Sequence, residues 1–319
     1  MTRQHDKIRN EIHVYAPASV ANVACGFDTL GFAIHRPGDD VMVKFSRDPG
    51  FRITSITGTS VKLPTEPRKN TAGVAALALL EHLDQADRGI EMHIHKGIPV
   101  GSGIGSSACS AVAAVVAINE LLGKPLSRRD LLPFALQCEA LASGGAMHAD
   151  NVGPCLLGGM VLVRSNADLD LVNIPIPSEL HVAVALPRLT VLTADARAVL
   201  PKKIPLKDGI TQWGNVGGLV AGFMSGDYGL IGCSLHDVVA EPARAHLIPH
   251  FHAVQDAALT AGALGCSISG AGPACFALCR GDESAFEVAV AMQFAFSDNG
   301  IPCERYISTI NTHGAMRIK

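Results

Sequence analysis

"PVGSGIGSSACSAV", residues 99–112, places three glycines within five residues and then two serines ahead of small apolar residues. Each glycine costs roughly 0.5–1 kcal/mol relative to alanine in an ordered segment, so such a loop needs a compensating purpose. Alternating residues before it (90–98) predict a strand, and residues 106–122 predict a helix. A glycine loop at a helix start offers backbone N–H groups and the positive end of the helix dipole to an anion, for which phosphate is the natural candidate.

Two familiar phosphate-binding loops do not match this spacing. A Walker-type loop needs GxxxxGK followed by serine or threonine, and no lysine follows here. A dinucleotide loop needs GxGxxG after the first strand, whereas this loop has GxGxG. Ser106 and Ser107 stand where hydroxyls can bind phosphate oxygens or Mg²⁺. The loop by itself therefore leaves a phosphate site and a tight packing turn as alternatives.

Composition limits the function classes. The 319 residues are 48% hydrophobic and 17% charged, enough for one large domain or two of ordinary size. A net charge of −3 without a run of Lys or Arg argues against a nucleic-acid partner. No apolar stretch reaches the roughly 18 residues that span a bilayer, and the N-terminal segment lacks the apolar core of a signal peptide. Nine cysteines without a CxxC pair indicate reduced thiols. We therefore expect a cytoplasmic protein with no membrane partner.

Strands and helices follow one another without a regular βαβα order, which favours an α+β fold. Alternating segments predict a first strand that ends at Pro17 and a second over residues 39–46. A third helix is predicted from Ser127, with Asp130 in a capped start, through Ala142, and a Gly-Gly break follows at residues 144–145. The pattern loosens over residues 166–178, so we expect a domain boundary between residues 168 and 169.

Three motifs together resemble the GHMP kinases, the small-molecule kinase superfamily of galactokinase, homoserine kinase, mevalonate kinase and phosphomevalonate kinase. The glycine loop is similar to that family's phosphate-binding motif, PASVANVACGFD (residues 17–28) to its N-terminal motif and SISGAGPAC (residues 267–275) to its C-terminal glycine motif. Their order and span make the resemblance specific. It implies a two-domain fold: an ATP-binding domain like ribosomal protein S5 domain 2 (residues 1–168), a ferredoxin-like domain (residues 169–319), and an active site between them.

The resemblance implies ATP as co-substrate and Mg²⁺ as its metal ion. The implied ATP-binding residues are Pro99, Val100, Gly101, Ser102, Gly103, Ile104, Gly105, Ser106, Ser107, Ala108 and Cys109, with Asn70 near the base or ribose. Asn70 also precedes a predicted helix, so a capping role suits it at least as well. Ser107 and Glu139 are the implied metal ligands, and Glu139 lies among apolar residues where a carboxylate needs a partner. Ala274 stands where family members often carry threonine, which removes no proposed ligand.

Three further segments indicate which alcohol accepts the phosphoryl group. HADN (148–151), TADARAVLP (193–201) and EPARAHLIPHF (241–251) resemble the superfamily members that phosphorylate L-homoserine. Because an arginine fork suits a carboxylate, we expect Arg197 and Arg244 to bind that of homoserine. The resemblance implies that the other substrate contacts come from Asn22 at the hydroxyl, Asp28 and His148 near the ammonium, and Thr193. Thr193 suits a helix-capping role equally well.

We expect direct in-line transfer of the γ-phosphoryl group from MgATP, because this chemistry depends on positioning and charge stabilisation more than on a strong base. Asn22 and Asn151, the latter near the γ-phosphate, are the expected catalytic residues, and no base is assigned. The product would be O-phospho-L-homoserine, a precursor of threonine. Two alternatives stay open: a kinase of another small alcohol, such as mevalonate or shikimate, and a ligand-binding regulator without catalysis. The oligomeric state is open too, and a homodimer is one candidate.

Overall fold

A long antiparallel strand pair organises the first half of the computed structural model, which describes residues 11–142 and 147–318. The strands of its sheet are β1 (Glu11–Ala21), β2 (Leu30–Phe45), β3 (Phe51–Thr57), β4 (Ile90–His95), β5 (Met160–Ser165), β6 (Asp170–Ile174) and β11 (Met316–Arg317). The order is β11-β1-β2-β4-β3. The second half of β2 pairs with β4, and the start of β2 pairs with β5. β6 pairs in turn with β5.

In the described part of this half there are five α-helices: α1 (Thr71–His82), α2 (Ser106–Leu121), α3 (Leu132–Ala135), α4 (Gln137–Ala142) and α5 (Ala149–Leu157). α2 and α5 pack on β1 and β2, and α1 packs on α2. Every residue of α2 except Ser107 and Glu120 is buried, because its alanines and valines allow neighbouring elements to approach closely. The glycine loop is thus anchored to the most deeply buried helix of this half.

The second half contains a four-stranded sheet of β7 (Leu180–Pro187), β8 (Gly265–Ile268), β9 (Cys275–Arg280) and β10 (Cys303–Thr309). All its pairs are antiparallel and the order is β10-β7-β9-β8. When the strands of this sheet are numbered along the chain, they lie in the order fourth, first, third and second, which is the predicted ferredoxin-like order. The accompanying helices are α6 (Thr193–Ala198), α7 (Leu206–Ser225), α8 (Tyr228–Ser234), α9 (Ala240–Arg244), α10 (Phe251–Thr260) and α11 (Asp282–Ser297). None of the described helices is long and apolar enough to cross a membrane.

Strand alternation in β7 and β9 joins the two halves. Val182 and Val184 face the core of the first half, while Ala183 and Ala185 face α10 and α11, because successive side chains of a strand point to opposite faces. Phe276 of β9 meets Phe32 of β2 edge to face, with ring centroids 5.9 Å apart. The two halves therefore share one continuous apolar core, which fixes the walls of the cleft between them.

Two predicted strand ends are wrong. β1 continues past Pro17 to Ala21, because a bulge between Pro17 and Ser19 absorbs the proline, which lacks an N–H for the ladder. β2 begins at Leu30 rather than residue 39. The expected boundary at residues 168/169 lies in the turn between β5 and β6, and pairing in the first sheet continues to Ile174. The Gly-Gly break at residues 144–145 lies outside the described residues.

Two helix predictions also differ from the structure. The third helix is divided into a 3-10 turn (Arg129–Leu131), α3 and α4. Pro133, near the start of α3, lacks the N–H that would continue the hydrogen bonds of the preceding turn. Ser127 and Asp130 do interact, with Ser127 Oγ donating to Asp130 Oδ2 at 2.6 Å. Thr193 is not the cap of α6: Leu192 occupies that position, and no side chain accepts a capping bond there.

Candidate active site

The glycine loop between β4 and α2 contacts other segments where side chains would clash. Gly101, Gly103 and Gly105 have φ values of 71°, 84° and 74°, a conformation that favours glycine. A Cβ on Gly103 would lie 2.6 Å from the carbonyl oxygen of Gly272, and one on Gly105 would lie 2.2 Å from Ser19 Oγ. These glycines therefore serve close backbone approach as well as a tight turn.

The three sequence motifs meet at this loop. Ser269 Oγ, from the C-terminal glycine motif, donates to the carbonyl oxygen of Gly103 at 2.8 Å. Asn22 Nδ2, from the N-terminal motif, donates to the carbonyl oxygen of Gly270 at 2.8 Å. Segments separated by up to 248 residues are thus fastened to one another, and each forms part of the same wall.

Together they surround a cleft with about 740 Å³ of free space, including the solvent at its mouth. The predicted site residues that line it are Asn22, Asp28, Gly101, Ser102, Gly103, Gly105, Ser106, Ser107, Ala108, Glu139, His148, Asn151, Thr193, Arg197 and Arg244. Ile104 and Cys109 do not reach it, because their side chains are fully buried in the core beneath the loop. Pro99 is exposed, and Val100 and Asn70 line a neighbouring cavity.

The start of α2 presents hydrogen-bond donors to the cleft. Its cap, Gly105, has no side chain to satisfy the first N–H groups. Ser106 Oγ donates to the carbonyl oxygen of Ile98 at 3.1 Å, so that hydroxyl proton is engaged within the protein. Ser102 Oγ is buried and has no hydrogen-bond partner within the described residues. An orphaned hydroxyl beside open helix N–H groups fits a phosphate.

Asp28, Arg197 and His148 form a charged cluster in the same cleft. Arg197 Nη2 and Nη1 donate to Asp28 Oδ1 and Oδ2 at 2.9 and 3.2 Å. His148 Nδ1 lies 3.3 Å from Asp28 Oδ2, too poorly aligned to form a hydrogen bond. Burial lowers the pKa of His148, Asp28 opposes that shift and Arg197 adds to it. The cluster places one carboxylate between a fixed cation and a mostly neutral imidazole.

The second arginine, Arg244, is held by backbone oxygens. Its Nε donates to Ala196 O at 3.0 Å and its Nη1 to Gly270 O at 2.9 Å. Burial lowers its pKa. Its guanidinium lies 4.9 Å from the ring centroid of Phe27, and that of Arg197 lies 5.9 Å from the same ring. Both predicted arginines therefore reach one cleft from different elements, as an anion-binding pair requires.

Two further acids make this part of the cleft rich in carboxyl groups. Burial raises the pKa of Glu139 to about 7, with Arg197 lowering it and Asp28 adding to the rise. Burial raises the pKa of Asp150 to about 8, helped by the charges of Asp28 and Glu139. Sequence reasoning assigned Asp150 no role, although an acid among the apolar residues of α5 was a signal. Among the described residues no three His, Cys, Asp or Glu side chains form a metal site of their own.

A second cavity of about 480 Å³ adjoins the cleft and shares Ser106 and Ser107 with it. Asn70 lies in its wall, where its Oδ1 accepts from the N–H groups of Ala72 and Gly73 at 3.0 and 3.3 Å. Its Nδ2 donates to Pro64 O at 2.9 Å. Asn70 therefore caps α1 with both ends of its amide engaged, and a nucleotide contact by Asn70 stays a prediction.

A buried ion pair that the sequence did not reveal lies under the glycine loop. Lys96 Nζ pairs with Asp39 Oδ2 and donates to Ser106 O at 2.9 Å. Asp39 Oδ1 accepts from the N–H groups of Gly97 and Ile98 at 3.0 and 3.2 Å. The pair thus fastens the segment that enters the loop to the first residue of α2. The available signal was a lysine at the end of an alternating, half-buried strand.

Comparison with known proteins gives consistent matches along the chain. Residues 70–159 match the model of the GHMP kinases N terminal domain, and residues 219–298 match that of GHMP kinases C terminal. A homoserine kinase of Chlorobium phaeobacteroides (strain BS1) is 47% identical over 313 residues, which cover 94% of this chain and 97% of the relative. One of Xylella fastidiosa (strain M12) is 42% identical, covering 96% of this chain and 94% of the relative.

Solved structures agree with these matches. The crystal structure of homoserine kinase from Cytophaga hutchinsonii ATCC 33406 has a TM-score of 0.96 and 50% identity, covering 99% of this chain and all of that one. A mevalonate kinase of L. major has a TM-score of 0.70 at 16% identity, covering 97% of this chain and 99% of that one. The latter likeness concerns the fold alone.

Proposed function

The chain belongs to the GHMP kinase family, and from that membership we propose that it transfers the γ-phosphoryl group of ATP to the hydroxyl of L-homoserine. The predicted α+β fold and the predicted family are confirmed. The observation that carries the choice of substrate is the cluster of Arg197, Asp28 and His148 in the same cleft as the glycine loop. Close relatives named homoserine kinase support the same choice.

The loop and α2 form the donor end of the proposed site. The helix N–H groups, the Ser102 hydroxyl and the Ser107 hydroxyl face the space where the ATP phosphates would lie. Asn151 Oδ1 accepts from Ser19 Oγ at 2.9 Å, which leaves the amide nitrogen of Asn151 to donate into the cleft. That orientation suits the predicted contact of Asn151 with the γ-phosphate.

The acceptor end uses an exchange of ion pairs. In the structure, Arg197 and Asp28 neutralise each other through two parallel hydrogen bonds. Homoserine carries a carboxylate and an ammonium, so it can replace each partner of this ion pair. Its carboxylate would bind Arg197 and Arg244, and its ammonium would bind Asp28 with His148. The exchange keeps every buried charge paired, which limits the desolvation cost of binding.

Asn22 would hold the reacting hydroxyl. Its Oδ1 accepts from Asp28 N at 3.1 Å and its Nδ2 donates to Gly270 O at 2.8 Å. One proton of Nδ2 stays available for the substrate oxygen. The described residues that line the cleft include no lysine, so we assign no lysine–aspartate pair as a base and propose phosphate or water as the route for the hydroxyl proton. Positioning and charge stabilisation supply the rate enhancement.

Ser107 and Glu139 fit a Mg²⁺ ion shared with the nucleotide. A carboxyl that burial holds at a pKa of about 7, close to Asp28 and Asp150, gains from a divalent cation. When bound, Mg²⁺ would neutralise phosphate charge. Ser107, one of two residues of α2 that are not buried, faces the cleft. A cytoplasmic location stays a prediction of the sequence.

ADP release with a panel of acceptors tests the proposal. We expect turnover with L-homoserine, and turnover with 4-hydroxybutanoate, which lacks the ammonium, to be lower by about 100-fold or more in kcat/KM, since Asp28 would be left without its partner. R-Mevalonate and shikimate, which also carry carboxylates, serve as matched acceptors.

Two outcomes would contradict the proposal. Turnover of mevalonate or shikimate without turnover of homoserine would refute the substrate. Binding of MgATP with no ADP release for any acceptor would indicate a ligand-binding regulator instead. Near-normal turnover by an Asn22→Ala variant would refute only the role given to Asn22.

A further inference from the structure

Three consecutive residues in the middle of the N-terminal motif adopt left-handed backbone. Asn22, Val23 and Ala24 have φ values of 72°, 44° and 56°, a region that residues with a Cβ enter only at a cost in energy. For a β-branched residue such as Val23 this conformation is a clear outlier. Residues 22–24 thus form a strained left-handed turn, and such a turn keeps its shape only where the surrounding structure restrains it.

The left-handed turn leads directly into the acceptor end of the cleft. Asn22 is its first residue, and Asp28 follows four residues after its end. The two are connected, because Asn22 Oδ1 accepts from Asp28 N at 3.1 Å. The ring of Phe27 contacts the guanidinium groups of Arg244 and Arg197. The shape of the turn therefore sets the positions of several groups that would meet the substrate.

Residues of the second half hold this turn on both sides. Just before it, Ala21 O accepts from Gly270 N at 3.1 Å. Just after it, Cys25 O accepts from Gln212 Nε2 at 2.8 Å, and Cys25 Sγ donates to Ser234 O at 3.3 Å. The restraint on the strained backbone therefore comes from segments about 200 residues away along the chain, and Gln212 supplies it through a side chain.

Gln212 connects the left-handed turn to α9. It is 8% exposed and is the one polar side chain among the buried residues of α7. Its Nε2 also donates to Asp237 Oδ1 at 2.9 Å, and its Oε1 accepts from Val238 N at 3.0 Å. Asp237 Oδ2 accepts from Glu241 N at 2.9 Å in α9, the helix that ends at Arg244. Both protons and the oxygen of the amide are engaged, which fixes its orientation.

We propose that Gln212 is a positioning residue of the acceptor end, which holds the left-handed turn in the shape that presents Asn22 and Asp28 to the substrate. The inference rests on the proposed function, which assigns those two residues to the acceptor. The described residues that line the cleft do not include Gln212, so it acts through the turn. Restraint of the turn before the substrate arrives leaves less reorganisation for the reaction itself.

Two variants of similar length isolate the hydrogen bond to the turn. Gln212→Met removes the donor, whereas Gln212→Lys keeps one within reach of Cys25 O and Asp237. Both variants lose the acceptor for Val238 N, so the difference between them reports the donor. Gln212→Met should lower kcat/KM for homoserine by about 30-fold or more, and Gln212→Lys should stay within about 5-fold of the wild type.

The separate kinetic constants distinguish positioning from loss of folded enzyme. Gln212→Met should lower kcat, because Asn22 is displaced, and raise the KM for homoserine, because Asp28 is displaced. The KM for ATP should change by less than about 2-fold. A smaller folded fraction would lower the apparent kcat and leave both KM values unchanged. Asn215→Ala is the matched control, since Asn215 donates from the same helix to His236 O at 2.8 Å, and it should keep kcat/KM within about 2-fold of the wild type.

Hydrogen–deuterium exchange reports the turn without any reaction. The amides of Asp28 and Leu30 are bonded to Asn22 Oδ1 and Gly26 O when the segment is in place. A peptide that spans residues 22–30 should exchange about 10-fold faster in Gln212→Met than in the wild type. In Gln212→Lys the same peptide should exchange at the wild-type rate.

Ala24→Gly tests the strain itself. Glycine adopts a φ of 56° without the clash of a Cβ, so the turn should then need less restraint. Alone, this change should leave kcat/KM within about 2-fold of the wild type. Combined with Gln212→Met, it should recover about 5-fold or more of the lost kcat/KM.

Several results would overturn the proposal. Equal kcat/KM and equal exchange in Gln212→Met and Gln212→Lys would reduce Gln212 to packing, as would strict additivity of Gln212→Met and Ala24→Gly. A KM for ATP that rises as much as that for homoserine would place the effect outside the acceptor end. If Gln212→Met does not fold, Gln212→Asn takes its place, because the shorter side chain withdraws the amide from Cys25 O.

Failure of the proposed function would be seen separately, in the wild type. If the wild type phosphorylates another acceptor, the same variants are compared with that acceptor. If it phosphorylates none, the exchange of residues 22–30 still decides whether Gln212 holds the turn. Unchanged exchange in Gln212→Met would refute the inference in either case.

Discussion

The protein buries charged groups in two neighbouring places, and the two places differ in how fully those charges are paired. Under the glycine loop, Lys96 and Asp39 are 4% and 0% exposed and are surrounded by donors and acceptors of matching kind. In the cleft, Asp28, Glu139 and Asp150 gather around Arg197, and burial raises the pKa values of the last two acids. The fully hydrogen-bonded pair of Lys96 and Asp39 holds the backbone of the loop in place. The excess of carboxyl groups in the cleft instead favours the binding of cationic groups. Loss of a charge should therefore lower stability under the glycine loop, whereas in the cleft it should change substrate binding or the pH dependence of stability.

Lys96→Met should cause the largest effect. It leaves Asp39 buried without its cation, which costs about 3–5 kcal/mol in the free energy of unfolding. Urea denaturation measures this directly. Lys44→Met is the matched control, because Lys44 pairs with Glu91 at 3.3 Å on the surface and such a pair is worth about 0–1 kcal/mol.

The same position offers a second check. Asp39→Asn combined with Lys96→Met removes both charges, and should recover a large part of the lost stability because no unpaired charge remains. Equal losses from Lys96→Met and Lys44→Met would mean that the buried pair does not fasten the loop.

Asp150→Asn should change how stability depends on pH. The pKa of Asp150 is about 8 in the folded protein and 3.8 ordinarily, so above pH 4 the native state keeps a proton that the unfolded state has lost. Its contribution is therefore full below pH 4 and is lost as pH rises to about 8. In the wild type, this group should lower the free energy of unfolding by on the order of 3 kcal/mol between pH 5 and 8. The variant should lack that decline.

Urea midpoints across that pH range provide the measurement. Asp48→Asn, an exposed acid paired with Arg52, is the control and should leave the shape of the curve unchanged. A wild-type curve that rises from pH 5 to 8 would contradict the raised pKa of Asp150.

Arg197→Lys should weaken the site and spare the fold. An ammonium cannot make the two parallel hydrogen bonds of a guanidinium, so kcat/KM for homoserine should fall about 10–100-fold, chiefly through KM. The KM for ATP should stay unchanged. Arg188→Lys, at an arginine that is 72% exposed and 3.7 Å from Glu304, should be silent. A loss in ATP binding as large as that in homoserine binding would place Arg197 at the donor end instead.

The same contrast explains what the sequence could predict. Motifs of fixed local spacing, such as GSGIGSS at residues 101–107, can be recognised in the sequence because their glycines permit the positive φ values that the loop adopts. The resemblance that these motifs carry implied the family, which is confirmed, and a site between the two halves, where the cleft gathers Asn22, Asp28, His148 and both arginines. The strand order of the second sheet agreed with the resemblance as well.

Burial of charge could not be predicted in this way, because it depends on partners distant in sequence. Asp39 and Lys96 are 57 residues apart, and each alone is a typical surface residue. Asp150 was overlooked for the same reason, since its pKa is raised first by burial and then by the charges of Asp28 and Glu139 from other elements. The break of the third helix at Pro133 was visible in the sequence, but its apolar pattern outweighed it.

Asn70 should give the smallest effect, and it belongs with the satisfied groups because both ends of its amide are engaged. Asn70→Ala should cost about 1 kcal/mol of stability through loss of the α1 cap. Asn70→Asp keeps the accepting oxygen at the helix start, so it should restore most of that stability. If capping is the whole role of Asn70, both variants keep the KM for ATP of the wild type. A KM for ATP that rises several-fold in both Asn70→Ala and Asn70→Asp would instead show that the amide contacts the nucleotide as well as capping α1.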